Sequence, residues 1–235
     1  LGVLINGVPI NGMENGKVYW SNWSGLSDVS QFIQVQRGLG ASALGISSVG
    51  GTMNMVTKST EAQKGGSAYF GIGNDGFRKY SVSFSTGLMD NGWAITFMGS
   101  LNTGDGYVKG TNYEGWTYFG NISKVINDHH KLSLTAFGAP QWHNQRSTMH
   151  YIEDYKNSPD GGRFNNGYGY INGEAVGSGY GYNYYHKPQV SLNHYWTIDE
   201  KSTLTTSLYG SMATGGGRRA RGAMSNWLTI DNNTG

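Results

Sequence analysis

The chain has 235 residues, with 38 glycines, 13% aromatics, 14% charged residues, no cysteine and a formal net charge of +2. A glycine share more than double the usual ~7% and a charge share well under the usual ~25% exclude an ordinary soluble globule, and the aromatic content excludes a flexible linker. Without cysteine there is no disulfide, thiolate nucleophile or Cys-based zinc site; with Arg218, Arg219 and Arg221 as the only tight basic cluster, nucleic-acid binding has no surface to use.

Residues 1–12 (LGVLINGVPING) read as an apolar strand broken by the turn-favouring pair Asn6-Gly7, with Pro9 limiting its continuation. Met13 to Leu26 is a long connection whose Trp20 and Trp23 are read as packing residues. Ser27-Asp28 has the chemistry to cap a short helical turn before the strand at Phe32. Ile33, Val35 and Arg37 alternate with Gln34 and Gln36 as in a half-buried strand, and Thr52 to Thr57 forms a second one. Between them Gly38, Gly40, Gly45, Gly50 and Gly51 allow turns and close backbone approach. The uncharged window from Gly38 to Thr57 holds too little hydrocarbon to be a membrane helix.

From Gly65 onward the pattern is strictly alternating, in segments near the ~9–11 residues that a tilted membrane strand needs. Tyr80, Val82 and Phe84 alternate with Ser81, Ser83 and Ser85, and Trp93, Ile95, Phe97 and Leu101 with Ala94, Thr96, Met98 and Ser100. The same rhythm runs through Trp116 to Ile122, Leu132 to Ala136, Val190 to Trp196 and Leu204 to Met212. Seven strands are expected, near 66–73, 77–88, 92–102, 115–126, 131–142, 188–198 and 203–213. A soluble sandwich would alternate in the same way. Charge placement favours a membrane wall, because Lys124, the only charge on an outward row, falls near a strand end, as do Trp93, Trp116 and Trp196. Tight turns at Asp90 to Gly92, Asn127 to His130 and Asp199 to Ser202 alternate with long connections at Thr103 to Gly115 and His143 to Lys187, and the short Asn74-Asp75-Gly76 breaks the rule.

Catalytic patterns are missing: no G-x-S-x-G, H-E-x-x-H or P-loop occurs, and Gly71-x-Gly73-x-x-Gly76 leads into a hairpin rather than a helix. No enzyme is expected, no cofactor and no metal site; His143, His150 and His186 read as solvated loop histidines. The richest recognition chemistry is at 164–187, where Tyr168, Tyr170, Tyr180, Tyr182, Tyr184 and Tyr185 offer rigid faces with hydroxyl tips between Gly and Asn. These tyrosines serve either ligand contact or packing on one another and on the rim.

The motifs LINGVPI (4–10), FIQVQRG (32–38), ASALGISSVGG (41–51) and TMNMVTK (52–58), in this order and spacing, resemble the end of the plug domain of TonB-dependent outer-membrane receptors. Asn6, Gln34, Leu39 and Leu44 depart from the family pattern. The resemblance implies a mainly β fold: a transmembrane antiparallel β-barrel, of which this chain is part of a 22-stranded whole, with an internal plug domain. Residues 1–60 would be the C-terminal part of the plug and 61–235 the first strands and loops of the barrel. The chain would be an interior piece, with its signal peptide and N-terminal segment upstream. Arg37, Gly38, Gly45, Gly50 and Gly51 would carry the plug motif and gating. The implied activity is energised import of a ferric siderophore, haem or cobalamin across the outer membrane of a Gram-negative bacterium, with outer-membrane lipid and the inner-membrane TonB complex as partners. An oligosaccharide importer working with a surface lipoprotein, and a non-energised porin or adhesin barrel, are the alternatives.

Overall fold

The computed structural model describes residues 1–38, 48–146, 150–171, 174–176 and 181–218, with backbone only for 169–171 and 174–176. Gly45 and Tyr180, as well as Arg219 and Arg221, lie outside the described residues.

A small mixed sheet comes first. Its strands are β1 (Gly2–Ile5), β2 (Val8–Pro9), β3 (Ser30–Gln36) and β4 (Thr52–Thr57), in the order β2-β1-β4-β3. Asn6 and Gly7 both take positive φ, 50° and 81°, which is the twist a two-residue hairpin needs. The Asn6 side chain ties this turn to β4: its Oδ1 accepts from the Thr57 N–H at 2.9 Å, and its Nδ2 donates to Thr57 Oγ1 at 2.9 Å. Between β2 and β3 lie a 3-10 turn (Trp20–Trp23) and the single-turn helix α1 (Leu26–Val29). Ser27 and Asp28 lie inside α1 instead of capping it; the cap position is Gly25, at φ 75°. Nor is β3 half-buried as its alternation suggests. Gln31 to Gln36 are exposed on both faces, because β3 is the outer strand and has only β4 beside it.

The second sheet is a wall. Its strands are β5 (Gly65–Ile72), β6 (Arg78–Leu88), β7 (Trp93–Gly104), β8 (Tyr113–Asn127), β9 (His130–Gly138) and β10 (Gln141–His143). After helix α2 (Ile152–Asn157) and the separate hairpin of β11 (Gly169–Ile171) and β12 (Glu174–Val176) come β13 (Asn183–His186), β14 (Gln189–Thr197), β15 (Thr203–Ser211) and β16 (Thr214–Gly217). All wall pairings are antiparallel, and β9 with β10, β13 with β14 and β15 with β16 are continuations of one another, so among the described residues the wall has seven staves, as the alternation predicts. The interruptions fall at one level across three neighbours: Ala139-Pro140, Lys187-Pro188 and Met212-Ala213. Pro140 and Pro188 lack the N–H the ladder requires there.

Burial in the wall is inverted relative to a soluble protein. Ser85, Thr96, Ser100, Thr117, Asn121, Ser123, Ser133, Thr135, Ser191 and Asn193 are buried, while Val82, Phe84, Ile95, Phe97, Ile122, Leu134 and Leu192 are exposed. The buried polar groups satisfy one another: Asn121 Nδ2 donates to Ser133 Oγ and Thr135 Oγ1, each at 2.9 Å, and Ser123 Oγ donates to Asn121 Oδ1 at 2.7 Å. An apolar face of this extent needs other apolar groups against it, and the polar face turns to the side that carries the small sheet. Lys124 snorkels at the lower end of that face, its ammonium 5.2 Å from the Trp93 ring centroid. Glu114 shares the outward row at the opposite end and accepts from Trp116 Nε1 at 3.0 Å, and Arg78 lies on the outward row of Tyr80 and Val82, so Lys124 is not the only outward charge.

Candidate functional site

The small sheet is seated against the inner face of the wall. Three adjacent staves each turn one apolar side chain inward at a common level, Met98, Phe119 and Phe137, which are partners in register. They form one buried cluster with Trp23, Leu26, Val29, Ile5, Ile10 and Met55. Trp23 stacks on Phe137 with centroids 5.9 Å apart, confirming its packing role, while Trp20 is exposed. Polar contacts frame this seat. Thr117 Oγ1 donates to the Ser24 carbonyl at 2.8 Å, Asn193 Nδ2 donates to the Asn6 carbonyl at 3.2 Å, and Lys79 Nζ lies 2.7 Å from Asp28 Oδ2. That last approach is an ion pair rather than an aligned hydrogen bond, since Asp28 Oδ2 has no hydrogen-bond partner of good geometry among the described residues.

Above the seat, on the side of the long connections, two neighbouring cavities of about 460 Å3 each open between the small sheet's connections and the wall. They share Ser21, Gln141 and His143. Asn102, Tyr113 and Thr111 line one, and Glu14, Tyr19, Asn183 and Tyr185 the other. The size falls within the ~300–1,000 Å3 of small-molecule sites. Amides, hydroxyls and rings dominate the lining, and the His143 ring is held by Gln141, whose Oε1 lies 2.7 Å from Nδ1.

The tyrosines read from the sequence are divided by this geometry. Tyr182, Tyr184 and Tyr185 are not on a free loop: β13 is hydrogen-bonded to β10 and β16, so the long connection begins its return to the wall before Asn183. Pairing past Pro188 resumes because Asn183 to His186 find β10 already extended beyond Pro140. Tyr185 lines the cavity bordered by Glu14, Tyr19 and Asn183. Tyr184 is exposed on the opposite face, and Tyr182 stacks with Trp142 at 6.1 Å and carries Arg218 5.5 Å above its ring. Tyr168 sits elsewhere, under Lys109 Nζ at 5.2 Å, and Tyr170 belongs to the β11-β12 hairpin. Gln141, Tyr19 and Ser21 were missed, and His143, read as a solvated loop histidine, lies instead half-buried on β10 and borders both cavities; the one signal for Gln141 and His143 is that alternation resumes after Pro140.

The described part of the connection between β10 and β11, residues 150–168, packs against the wall's upper connections. Arg163 pairs with Asp75 at 2.7 Å and covers the Tyr107 ring at 4.8 Å, and Lys109 pairs with Asp160 at 3.1 Å. His150 is not a solvated loop residue: its ring meets Tyr155 and Phe164 edge-on, with Nε2 buried. His186 contacts Tyr118 Oη at 2.9 Å. Among the described residues no three metal-ligating side chains come together.

Of the motif residues, Gly38 and Gly51 take positive φ, 75° and 91°, and Gly50 is exposed beside Leu1. Arg37 is exposed.

No protein-family model matches the chain, and no significant match exists among curated proteins. Solved structures do match. The ferric citrate transporter FecA in its unliganded form superposes with a TM-score of 0.68 at 16% identity, over 94% of this chain and 32% of that one. The siderophore receptor PiuA from Acinetobacter baumannii gives 0.63 at 14% identity, over 91% and 29%. The ferripyoverdine receptor of the outer membrane of Pseudomonas aeruginosa, bound to ferripyoverdine, gives 0.63 at 12%, over 89% and 27%. The chain thus spans about a third of the length of the structures it matches, and shares with them the fold of a small sheet seated inside a β-wall.

Proposed function

We infer that the chain is part of a TonB-dependent outer-membrane receptor, with residues 1–60 as the latter part of its plug and 61–235 as the first staves and loops of a barrel of about 22 strands. It works in the outer membrane of a Gram-negative bacterium, importing a scarce ligand rather than transforming it. The observation that carries this is the wall's inverted burial together with a plug tethered to its polar face, beneath cavities that open toward the long connections. A passive pore has no use for such an obstruction.

The ligand class we propose is a ferric siderophore, haem or cobalamin; what the matched receptors are named for supports the first of these. Oligosaccharide uptake with a surface lipoprotein is the second reading, favoured by a cavity lining of Asn, Gln, Ser and Tyr. Energy would come from the inner-membrane TonB complex acting on a segment upstream of Leu1. Competitive uptake of iron chelates, haem, cobalamin and oligosaccharides in a deletion strain, with and without the proton gradient, tests both points. Uptake of one class that collapses with the gradient is expected; gradient-independent uptake would make the protein a passive barrel.

A further inference from the structure

Two histidines far from the cavities face one another on the outward side of the wall. On β9 and β14, Ser133, Thr135, Ser191 and Asn193 point inward and are buried, so His130 and His194 belong to the opposite row, with Leu134, Leu192 and Trp196. His130 is the register partner of Trp196 and His194 that of Leu132, which makes the two histidines diagonal neighbours across the strand pair. Both stand at the tight-turn end, since Leu132 also pairs with Lys124, where the apolar row gives way to charge.

Their rings are stacked, with centroids 5.2 Å apart and planes 10° from parallel, and the His130 ring also lies against Trp196 at 5.5 Å. Contact with both neighbours limits how His130 can turn. Nδ1 of His130 and Nε2 of His194 are 3.0 Å apart, a contact in which one nitrogen carries a proton and the other offers a lone pair. Two imidazole nitrogens on one tetrahedral zinc ion, each at ~2.0–2.1 Å, stand about 3.3 Å apart. The pair therefore needs to open only slightly to hold an ion. Nearby cations are turned away from it. Lys124 Nζ donates to the Asn91 carbonyl and lies by the Trp93 ring, on the far side of β8, while Lys131 points inward to Glu61. His129 Nδ1 faces the Thr197 carbonyl at 2.8 Å.

We propose that His130 and His194 form a two-nitrogen site for a divalent transition-metal ion of the zinc or copper kind, on the outward face of the wall. Imidazole nitrogen suits these ions, whereas magnesium and calcium take oxygen ligands. On binding, the shared proton leaves to water and both nitrogens give their lone pairs to the ion. Among the described residues no third histidine, aspartate or glutamate joins the pair, so water fills the remaining positions and the ion is held less tightly than in a closed four-ligand site. The site does not depend on the importer reading, because the cavities are lined from the other face of the wall. Its effect is to join β9 to β14 beside the turns, adding stability by mass action as the metal concentration rises.

Zinc chloride titrated into the whole receptor, purified in detergent without a histidine tag, tests this by calorimetry. The native protein should bind zinc at a site that His130→Ala and His194→Gln each weaken at least tenfold. His194→Gln leaves an amide oxygen to accept from His130 Nδ1, so it removes a metal ligand while a hydrogen bond can persist. His129→Ala, on the neighbouring turn, should stay within twofold of the native protein. Copper chloride gives a second readout that needs neither histidine changed: one equivalent should quench Trp196, and Trp196→Phe should remove most of the quenchable emission. Heat-modifiable gel migration reports the assembly of each variant. Zinc binding that is absent from the native receptor, unchanged in His194→Gln or equally reduced in His129→Ala overturns the site, as does full copper quenching in Trp196→Phe. The pair would then be a hydrogen bond and nothing more.

Discussion

Lys79 of the wall and Asp28 of the plug meet at 2.7 Å across 51 residues of sequence, inside the wall and partly shielded from water. Their side chains are 24% and 26% exposed, so the pair is screened less than a surface ion pair and desolvated less than a fully buried one. Removing one partner leaves the other charged and partly enclosed. Lys79→Met should therefore cost about 1–2 kcal/mol in plug retention, between the surface and buried limits. A double-mutant cycle with Asp28→Asn, read as the urea midpoint for plug release, should recover part of that loss. Strict additivity would mean that the two charges do not interact. The exposed Arg37, proposed for gating on its motif, should give a smaller effect on Arg37→Ala among the contacts described.

Gly25 gives a prediction of a different kind, because backbone and packing act together. Its φ of 75° is unfavourable for any residue with a Cβ, at about 1–2 kcal/mol, and the added atom would press on Thr117. Gly25→Ala should destabilise plug seating by at least that much while leaving the wall assembled. Heat-modifiable gel migration reports assembly, and the urea midpoint reports seating. An unchanged midpoint would show that residues 24–29 are not tightly held.

The wall was legible in the sequence because a period of two needs only neighbouring residues: Thr96 and Phe97 declare opposite faces by chemistry alone. The seat was not. Met98 read as one more member of the small inward row, and nothing local says that it lies level with Phe119 and Phe137, since that level depends on two registers set by turns. The Lys79 to Asp28 pair was equally hidden, as it depends on how one sheet sits in another. The continuation of the staves beyond Pro140 and Pro188 was lost for the opposite reason: a proline stops a strand locally, yet cross-strand pairing resumes when three neighbours break at the same level.

Glu61, in the segment between plug and wall, predicts an acid response. Burial alone would raise its pKa, but its own backbone N–H, Lys131 at 3.1 Å and the Ser59 hydroxyl outweigh that and hold it at about 2 instead of 4.5. A depressed carboxyl stabilises the folded state above its unfolded pKa, and that contribution is lost as pH falls from about 4.5 through about 2. The side chain is 55% exposed, so solvent screening keeps the effect small. Thermal unfolding of the native protein and Glu61→Gln should differ at pH 6 and converge toward pH 2. A constant difference across that range would remove the Lys131 pairing as its cause.

The wall's two ends predict sidedness. Asp90 and Asp199 lie in the tight turns, whereas Asn112 and the exposed α2 residue Glu153 lie at the other end. Cysteines placed singly at these four positions should react with an impermeant reagent on intact cells only at 112 and 153. Labelling at 90 or 199 would invert the orientation.

The tyrosines near 182–185 give the test that most directly separates recognition from architecture. Neighbouring residues on a strand face opposite sides, so Tyr185 lines a cavity above the plug and Tyr184 does not. Both belong to β13, both oppose glycines of β16, and both hold the stave together to a similar degree. Tyr185→Ala and Tyr184→Ala should therefore be alike in assembly and different in binding. A cavity-lining aromatic that anchors a ligand typically contributes about 2 kcal/mol, which is more than tenfold in affinity. Tyr185→Ala, and likewise His143→Ala on the facing stave, should weaken binding of whichever ligand the uptake screen identifies by that factor, with Tyr184→Ala within twofold of the native protein. Equal losses from Tyr184 and Tyr185 would assign the effect to the stave itself, and the cavities bordered by Gln141 and His143 would no longer be the place where the ligand is held.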